Sequence, residues 1–453
     1  MTHVSKNKSN KATSPSQQGL KPFTFSRDLI PDVVNQYLQA YRETAWRAYE
    51  NLPFPSRKDE AWRRTDIRGL HTTEFVLHRN GNKPDVQLPP SKCLEPIFEG
   101  EQPAGQIFSG TVGSSRYLEE GLEDNGVVFV DFLTAEKDHP KLLKNLLGQI
   151  INPDEDKFTA LASALAQDGV VLYVPKDVVI DNPLHSLYCG AVQHHAYINH
   201  LIIWLEEGAQ VTFVHESASP AGQKDGQIFH NGIVEIHVGK GARLNFVELQ
   251  SWGKNVWSFT RERANVMGDG FLEWIFGAMG THLTKNFSDI NLVEPGANAR
   301  MSGFYFADDH QHLDHDTQQN HLAKDTTSDL LFKGALLDES RSVWQGMIYV
   351  APGAIGTDGY QGNRNLILSK GARADSIPGL EILADDVRCT HGATVGKIDE
   401  NELFYLTSRG IPRGEAEQLI VLGFFDRILQ RIPFEGVRNR FVETIQEKMM
   451  DRQ

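Results

Sequence analysis

Val234-Glu-Ile-His-Val238, closed by Gly239-Lys-Gly-Ala242, is the stretch that decides the fold. Apolar and polar residues alternate through it with the period of a β-strand, and a glycine turn follows at once. The same Gly-Ala pair recurs at Gly208, Gly241, Gly296, Gly353 and Gly371, each time after Glu, Lys or Pro and before a β-rich run. The intervals are 33, 55, 57 and 18 residues, so the first approximates one coil and the next two suit two coils apiece, with Gly270 between the second and third marks. Val343 to Val350 reads as a strand that is apolar on both faces. Short strands and glycine turns at a loose period predict a stacked β-solenoid, a parallel β-helix from 169 to 397, with a jelly roll as the competing architecture.

Helical segments flank this body. Val33, Tyr37, Tyr41, Ala45 and Tyr49 recur every four residues in a reading that is helical from Asp28 to about Leu70 and is interrupted at Pro53 and Pro55. Glu155 to Gln167 reads as a second helix, and Gly169 to Pro175 as a buried strand. Between them, Pro89-Pro90 and the stretch from Gly100 to Gly113 read as loops or a small insertion. At the far end, Ala416, Leu419, Ile420, Gly423, Phe424, Ile428 and Ile432 form a stripe behind Pro412, and Val437, Phe441, Ile445 and Met449 form another. The expected units are therefore a tail at 1–22, a mixed helical unit at 23–168, the β-helix at 169–397 and a helical unit at 398–453.

A chain of 453 residues with 40% hydrophobic and 23% charged residues can bury a large core. Its formal net charge of -14 opposes nucleic-acid binding, which requires cations against phosphates. No apolar run approaches the ~20 residues that span a bilayer. Cys93, Cys189 and Cys389 are the three cysteines, too few for a disulfide framework or a cluster held by four cysteines. The expected location is the cytoplasm, or a plastid stroma if the Lys- and Ser-rich tail acts as a transit peptide. No GxxxxGK[ST] phosphate loop is present, so ATP hydrolysis is not expected of this chain.

Two constellations carry ligand chemistry. Cys389 and His391 sit two apart in a strand-like run, so they share one face with stems about 6.6 Å apart. A thiol and an imidazole so placed could serve one metal or two corners of a cluster, or be a buried cysteine and a hydrogen-bonded histidine. His310, His312 and His315, among acidic neighbours, have the residue types of a mononuclear metal site, and a cupin-like metalloenzyme is the alternative reading. A solvated polar face is the reading preferred for that segment. Cys93, Cys189 and the histidines His185, His194, His195, His200, His215, His230 and His237 are expected to be structural. Trp62, in Ser56-Arg-Lys-Asp-Glu-Ala-Trp-Arg-Arg-Thr-Asp66, is expected to pack beneath a charged turn in preference to lining a phosphate site.

Asp385-Asp-Val-Arg-Cys-Thr-His-Gly-Ala-Thr-Val-Gly396, followed by Phe404-Tyr-Leu-Thr-Ser-Arg-Gly-Ile-Pro412, resembles the C-terminal signature of the SufB/SufD family of iron–sulfur cluster assembly proteins. Cys389-Thr-His391-Gly resembles the SufD form. The resemblance implies a right-handed parallel β-helix with helical ends, and a non-catalytic scaffold paired with SufB and the ATPase SufC. It also implies a transient cluster or iron shared with SufB at Cys389 and His391. ATPase docking would fall on the helices bearing Tyr405, Arg409, Gly410, Ile411 and Phe424. A homodimer of the isolated chain and reduced flavin at the level of the complex are further implications, the flavin without an identified site.

Overall fold

A computed structural model describes residues 20–33, 35–77, 103–110, 113–190, 192–219, 226–432 and 435–450. Cys93, Pro89-Pro90, Gly100 and most of the tail lie outside them. Two long sheets stack face to face. The first contains β2 (Gly113–Leu118), β1 (Gly105–Gly110), β5 (Leu184–Cys189), β7 (Gln210–Ala218), β9 (Arg243–Ser251), β11 (Phe271–Ala278), β13 (Asn298–Ala307), β15 (Thr327–Leu336), β17 (Asp358–Ile367) and β19 (Arg388–Gly396), in that order. The second runs β3 (Val128–Asp131), β4 (Asp168–Val174), β6 (Ala196–Leu205), β8 (Ile228–Val238), β10 (Val256–Val266), β12 (Leu283–Leu292), β14 (His312–His321), β16 (Arg341–Val350) and β18 (Arg373–Ile382).

The chain alternates between the sheets, so every second strand pairs in parallel: Trp257 lies beside Leu283, and Leu283 beside His312. That is a parallel β-solenoid, with a coil of roughly 30 residues. Parallel pairing on this scale rules out the jelly roll, whose strands run antiparallel. Among the described residues only β1–β2 and β3–β4 are antiparallel, and they extend the sheets upstream of residue 169.

The glycine marks have a physical cause. Asp177, Asp269 and Asp325 turn the same corner in three of the coils with φ near 60°, and their carboxylates lie against Gly208, Gly296 and Gly356 of the coil that follows each, leaving no room for a Cβ there. Gly371 is on a different corner, against Asp338, which explains its short interval.

Inward side chains such as Phe213, Phe246, Trp274, Met301, Leu330 and Trp344 fill the space between the sheets. The outer face of the second sheet is covered by α1 (Gln36–Asn51), α2 (Phe132–Asp138), α3 (Pro140–Leu146) and α4 (Lys157–Leu165) together with the turn around Trp62. Trp62 packs against the stacked pair Phe158 and Phe259, as expected for a packing residue. The α1 reading needs correction: its buried face is Leu38, Arg42, Ala45, Trp46 and Tyr49, while Tyr37 is exposed. Arg42 turns inward because it pairs with Glu136 and donates to the Ala164 carbonyl at 3.1 Å. Burying such a cation is tolerable only when its donors are met.

Helices α5 (Glu400–Thr407), α6 (Arg413–Leu429) and α7 (Glu435–Met450) lie at the other side. Val437, Phe441, Ile445 and Met449 are all buried, as their spacing predicts. In α6 the buried residues are Ala416, Val421, Phe425, Ile428 and Leu429, so the face is rotated from the expected stripe and Leu419 is exposed. Packing of Phe425 and Phe441 against Phe304 of β13 sets that rotation. Among the described residues, no helix is long and apolar enough to cross a membrane.

Candidate functional site

The strand bearing Cys389 and His391 is β19, the last of the first sheet, and among the described residues its one strand neighbour is β17. Register sets Cys389 beside Gly359 and His391 beside Gln361. Both ligand-type side chains therefore lie in the row that faces the second sheet, at the mouth of the solenoid. His391 is exposed, while Cys389 is half-buried against Ile348, Val350 and Ala354. Burial raises the thiol pKa; the Gly359 backbone lowers it, and the Asp358 carboxylate raises it. The resting sulfur is thus a protonated thiol at neutral pH, positioned by a backbone bond.

Behind this pair the interior is polar. Gln361 Nε2 donates to the Gly379 carbonyl at 2.7 Å, tying β17 to β18. Asn365 Nδ2 donates to Asn363 Oδ1 at 2.6 Å and to Ser376 Oγ at 3.2 Å. On the rim, Asp375 accepts from Arg341 at 2.9 Å and Arg373 at 2.9 Å. The wall that carries Cys389 and His391 is fixed by side-chain bonds even though its last strand is open.

His310, His312 and His315 are not brought together. His310 is exposed in a turn beside Glu339, at 3.4 Å. His312 faces outward beneath the N-terminal segment, 3.2 Å from Thr65 Oγ1. His315 points into the solenoid among Phe276, Tyr305 and Phe332, and burial takes it down to about 3. Odd and even positions of a strand project to opposite faces, so the spacing that resembled a metal site divides its members between surface and core. The cupin-like alternative therefore fails. Among the described residues no group of three His, Cys, Asp or Glu side chains is placed to hold a metal ion.

Four further histidines are anchored within the body by hydrogen bonds or stacking. His200 bonds Glu235 at 2.9 Å, His185 bonds Glu216 at 2.9 Å, His230 bonds Ser258 at 2.8 Å, and His237 stacks on Trp204 at 4.1 Å. Cys189 is buried with Phe108 and Leu187.

Of the expected docking residues, Tyr405, Arg409 and Gly410 are exposed and Ile411 is half-buried. The Arg409 guanidinium covers the Tyr405 ring at 3.5 Å. Phe424 is held inward by Lys333, whose Nζ lies 4.9 Å from its ring and donates to its carbonyl at 2.6 Å. Phe404, Tyr405 and Leu419, at 72%, 56% and 51% exposure, are the large apolar groups that α5 and α6 leave uncovered.

Sequence reasoning did not single out Gly359, Gln361 or His321 as neighbours of this site. They belong to other coils, and only the strand register, with Gly359 one coil before Cys389, places them there.

The architecture is thus a two-sheet parallel β-solenoid flanked by helices, with a thiol and an imidazole on one face of its last strand. Residues 188–424 match the SUF system FeS cluster assembly SufBD core domain, and residues 13–185 match the SufBD protein N-terminal region. The chain belongs to the SufBD family of iron–sulfur cluster assembly proteins. It is 31% identical over 442 residues to the iron–sulfur cluster assembly protein SufD of Bacillus subtilis, covering 96% of this chain and 98% of that one. An iron–sulfur cluster assembly SufBD family protein of Staphylococcus saprophyticus is 30% identical over 318 residues, covering 70% and 68% respectively.

Proposed function

We propose that this chain is a SufD-type scaffold subunit that pairs with a SufB-type subunit through its open last coil. The observation that carries this reading is the placement of Cys389 and His391 on a strand with one neighbour, where the free edge of β19 can hydrogen-bond to a like solenoid. Iron, or a nascent iron–sulfur cluster, is the cargo. One thiol and one imidazole leave its ligand set incomplete until the partner supplies the remainder, and an incompletely held cluster is easier to pass on. The exposed α5–α6 surface around Phe404, Tyr405 and Leu419 receives a SufC-type ATPase, which performs the hydrolysis this chain does not. Its location is the reducing cytoplasm, where Cys389 stays a thiol. In the absence of partners the same open edge pairs with a second copy.

Substituting Cys389→Ser and His391→Ala, singly and together, in the co-expressed complex tests this. Cluster assembly under iron limitation should fall at least tenfold in the double variant, with thermal unfolding unchanged. Wild-type assembly in both single variants and the double variant overturns the assignment.

A further inference from the structure

His321 ends β14 with its ring fully buried beside the wall that carries Cys389. Its Nδ1 lies 2.8 Å from Thr326 Oγ1, and the Thr326 hydroxyl donates its own hydrogen to the Ala323 carbonyl at 3.2 Å. Thr326 must then accept from His321, so Nδ1 carries the imidazole proton and Nε2 presents its lone pair. That lone pair meets Ser328 Oγ at 2.8 Å, with the serine as donor. A histidine whose far nitrogen is anchored to an oxygen and whose near nitrogen is the acceptor has the orientation of a metal ligand.

The near nitrogen is aimed at the cysteine's own row. Ser328, Gly359 and Cys389 are neighbours in register on β15, β17 and β19. Gly359 contributes no side chain to that row, and the His321 ring edge and the Cys389 sulfur both close in on the vacant position. A Cβ built on Gly359 would stand 3.3 Å from His321 Nε2 and 3.4 Å from Cys389 Sγ. The glycine therefore lets a buried imidazole from one sheet and a half-buried thiol from the other share one recess.

We propose that Cys389 Sγ and His321 Nε2 form an inward-facing corner for a divalent metal ion of borderline softness, with the Ser328 hydroxyl as the group the metal displaces. This inference rests on the reading of the last coil as the iron–sulfur site, and it adds that the chain can hold iron by a thiolate and an imidazole before any partner closes the end. On binding, the sulfur–metal bond forms as the thiol proton passes to solvent, and the Ser328 hydroxyl turns away from Nε2. No electron is transferred. His391, on the exposed side, is left for ligation shared with the partner.

The test uses the isolated full-length chain, reduced and anaerobic, titrated with Co²⁺ as a spectroscopic stand-in for Fe²⁺. A thiolate-to-cobalt charge-transfer band should appear in the wild type and vanish in Cys389→Ser. His321→Gln should weaken Co²⁺ binding at least tenfold. Ser328→Ala, which removes the competing donor, should tighten binding at least twofold and stands as the second variant if His321→Gln fails to fold. Wild-type affinity in His321→Gln, no tightening in Ser328→Ala, or no thiolate band in the wild type overturns the corner. Cluster assembly by the complex is read separately, so loss of assembly in the Cys389 variants alongside an unaltered His321→Gln titration sinks this inference alone.

Discussion

The coil of β8 and the coil of β18 and β19 share one backbone geometry but differ in what covers them. Glu235 of β8 is fully buried and accepts from the backbone of Gly148, Ile150 and Ile151, at 2.9, 2.9 and 3.0 Å, as well as from His200. A single carboxylate thereby fixes the loop before α4 to the outer face of the second sheet. Glu381 of β18 is exposed, as are most residues of β19. An edge strand left open is a liability for an isolated protein, and such edges are ordinarily blocked or covered. The contrast places stability in the covered coils and, on the proposed reading, ligand chemistry in the uncovered one.

Substitution at the two glutamates exposes this contrast most strongly. Glu235→Ala strands two buried N–H groups, a half-buried one and an imidazole, and should cost roughly 3–5 kcal/mol in denaturant unfolding. Glu381→Ala should stay within about 0.5 kcal/mol. Comparable losses would mean that the last coil is as tightly built as the middle.

Two aromatic residues of the C-terminal unit give the next largest difference. Phe441→Ala empties a site against Phe304 and should cost about 3 kcal/mol. Phe404→Ala should leave unfolding within about 0.5 kcal/mol while lowering co-purification of the ATPase subunit. A Phe404 variant that loses stability but keeps the ATPase would reverse the assignment of that surface.

The smallest effect is one of pH. Burial, reinforced by the neighbouring Glu262 carboxylate, raises Glu248 well above 4.5, and burial takes Glu262 to about 7. Folding therefore takes up protons above pH 4.5, and this pair's contribution falls as pH rises toward the folded values. Burial acts oppositely on His185, His215, His230 and His315, at about 3 against 6.5, and on His237, His312 and His321, at about 4. Their contribution rises from those values to pH 6.5, and by number they dominate, so overall stability should fall on acidification below pH 6.5. Glu248→Gln removes one of the two contributions to the opposing slope. Relative to wild type, the variant should gain about 1 kcal/mol per pH unit between pH 4.5 and 6, by urea unfolding at a series of pH values. A constant difference would show that no proton is retained there.

Repeats and turns were legible in the sequence because a solenoid writes the same local instruction in each coil. The Gly-Ala marks flag corners, and Val437 to Met449 reveals a helix face by spacing alone. The α1 and α6 faces were misread for a shared reason: Arg42 is buried by a partner 94 residues away, and Phe425 by strands more than a hundred residues earlier, so neither is encoded in the local pattern. His312 and His315 looked like one cluster because spacing does not tell the two faces of a strand apart without its register. Cys389 and His391 were legible as a pair on one face. Gly359, Ser328 and His321 were not, since only stacking of coils makes them neighbours.

Hydrogen–deuterium exchange along β19 tests the central claim most directly. The alternate amides of β19 that point away from β17 should exchange rapidly in the chain without a SufB-type subunit at dilutions that dissociate any self-association, and at least tenfold more slowly in the co-expressed complex. Unchanged exchange across β19 in the complex, with new protection elsewhere on the solenoid, would contradict the open coil as the site of pairing.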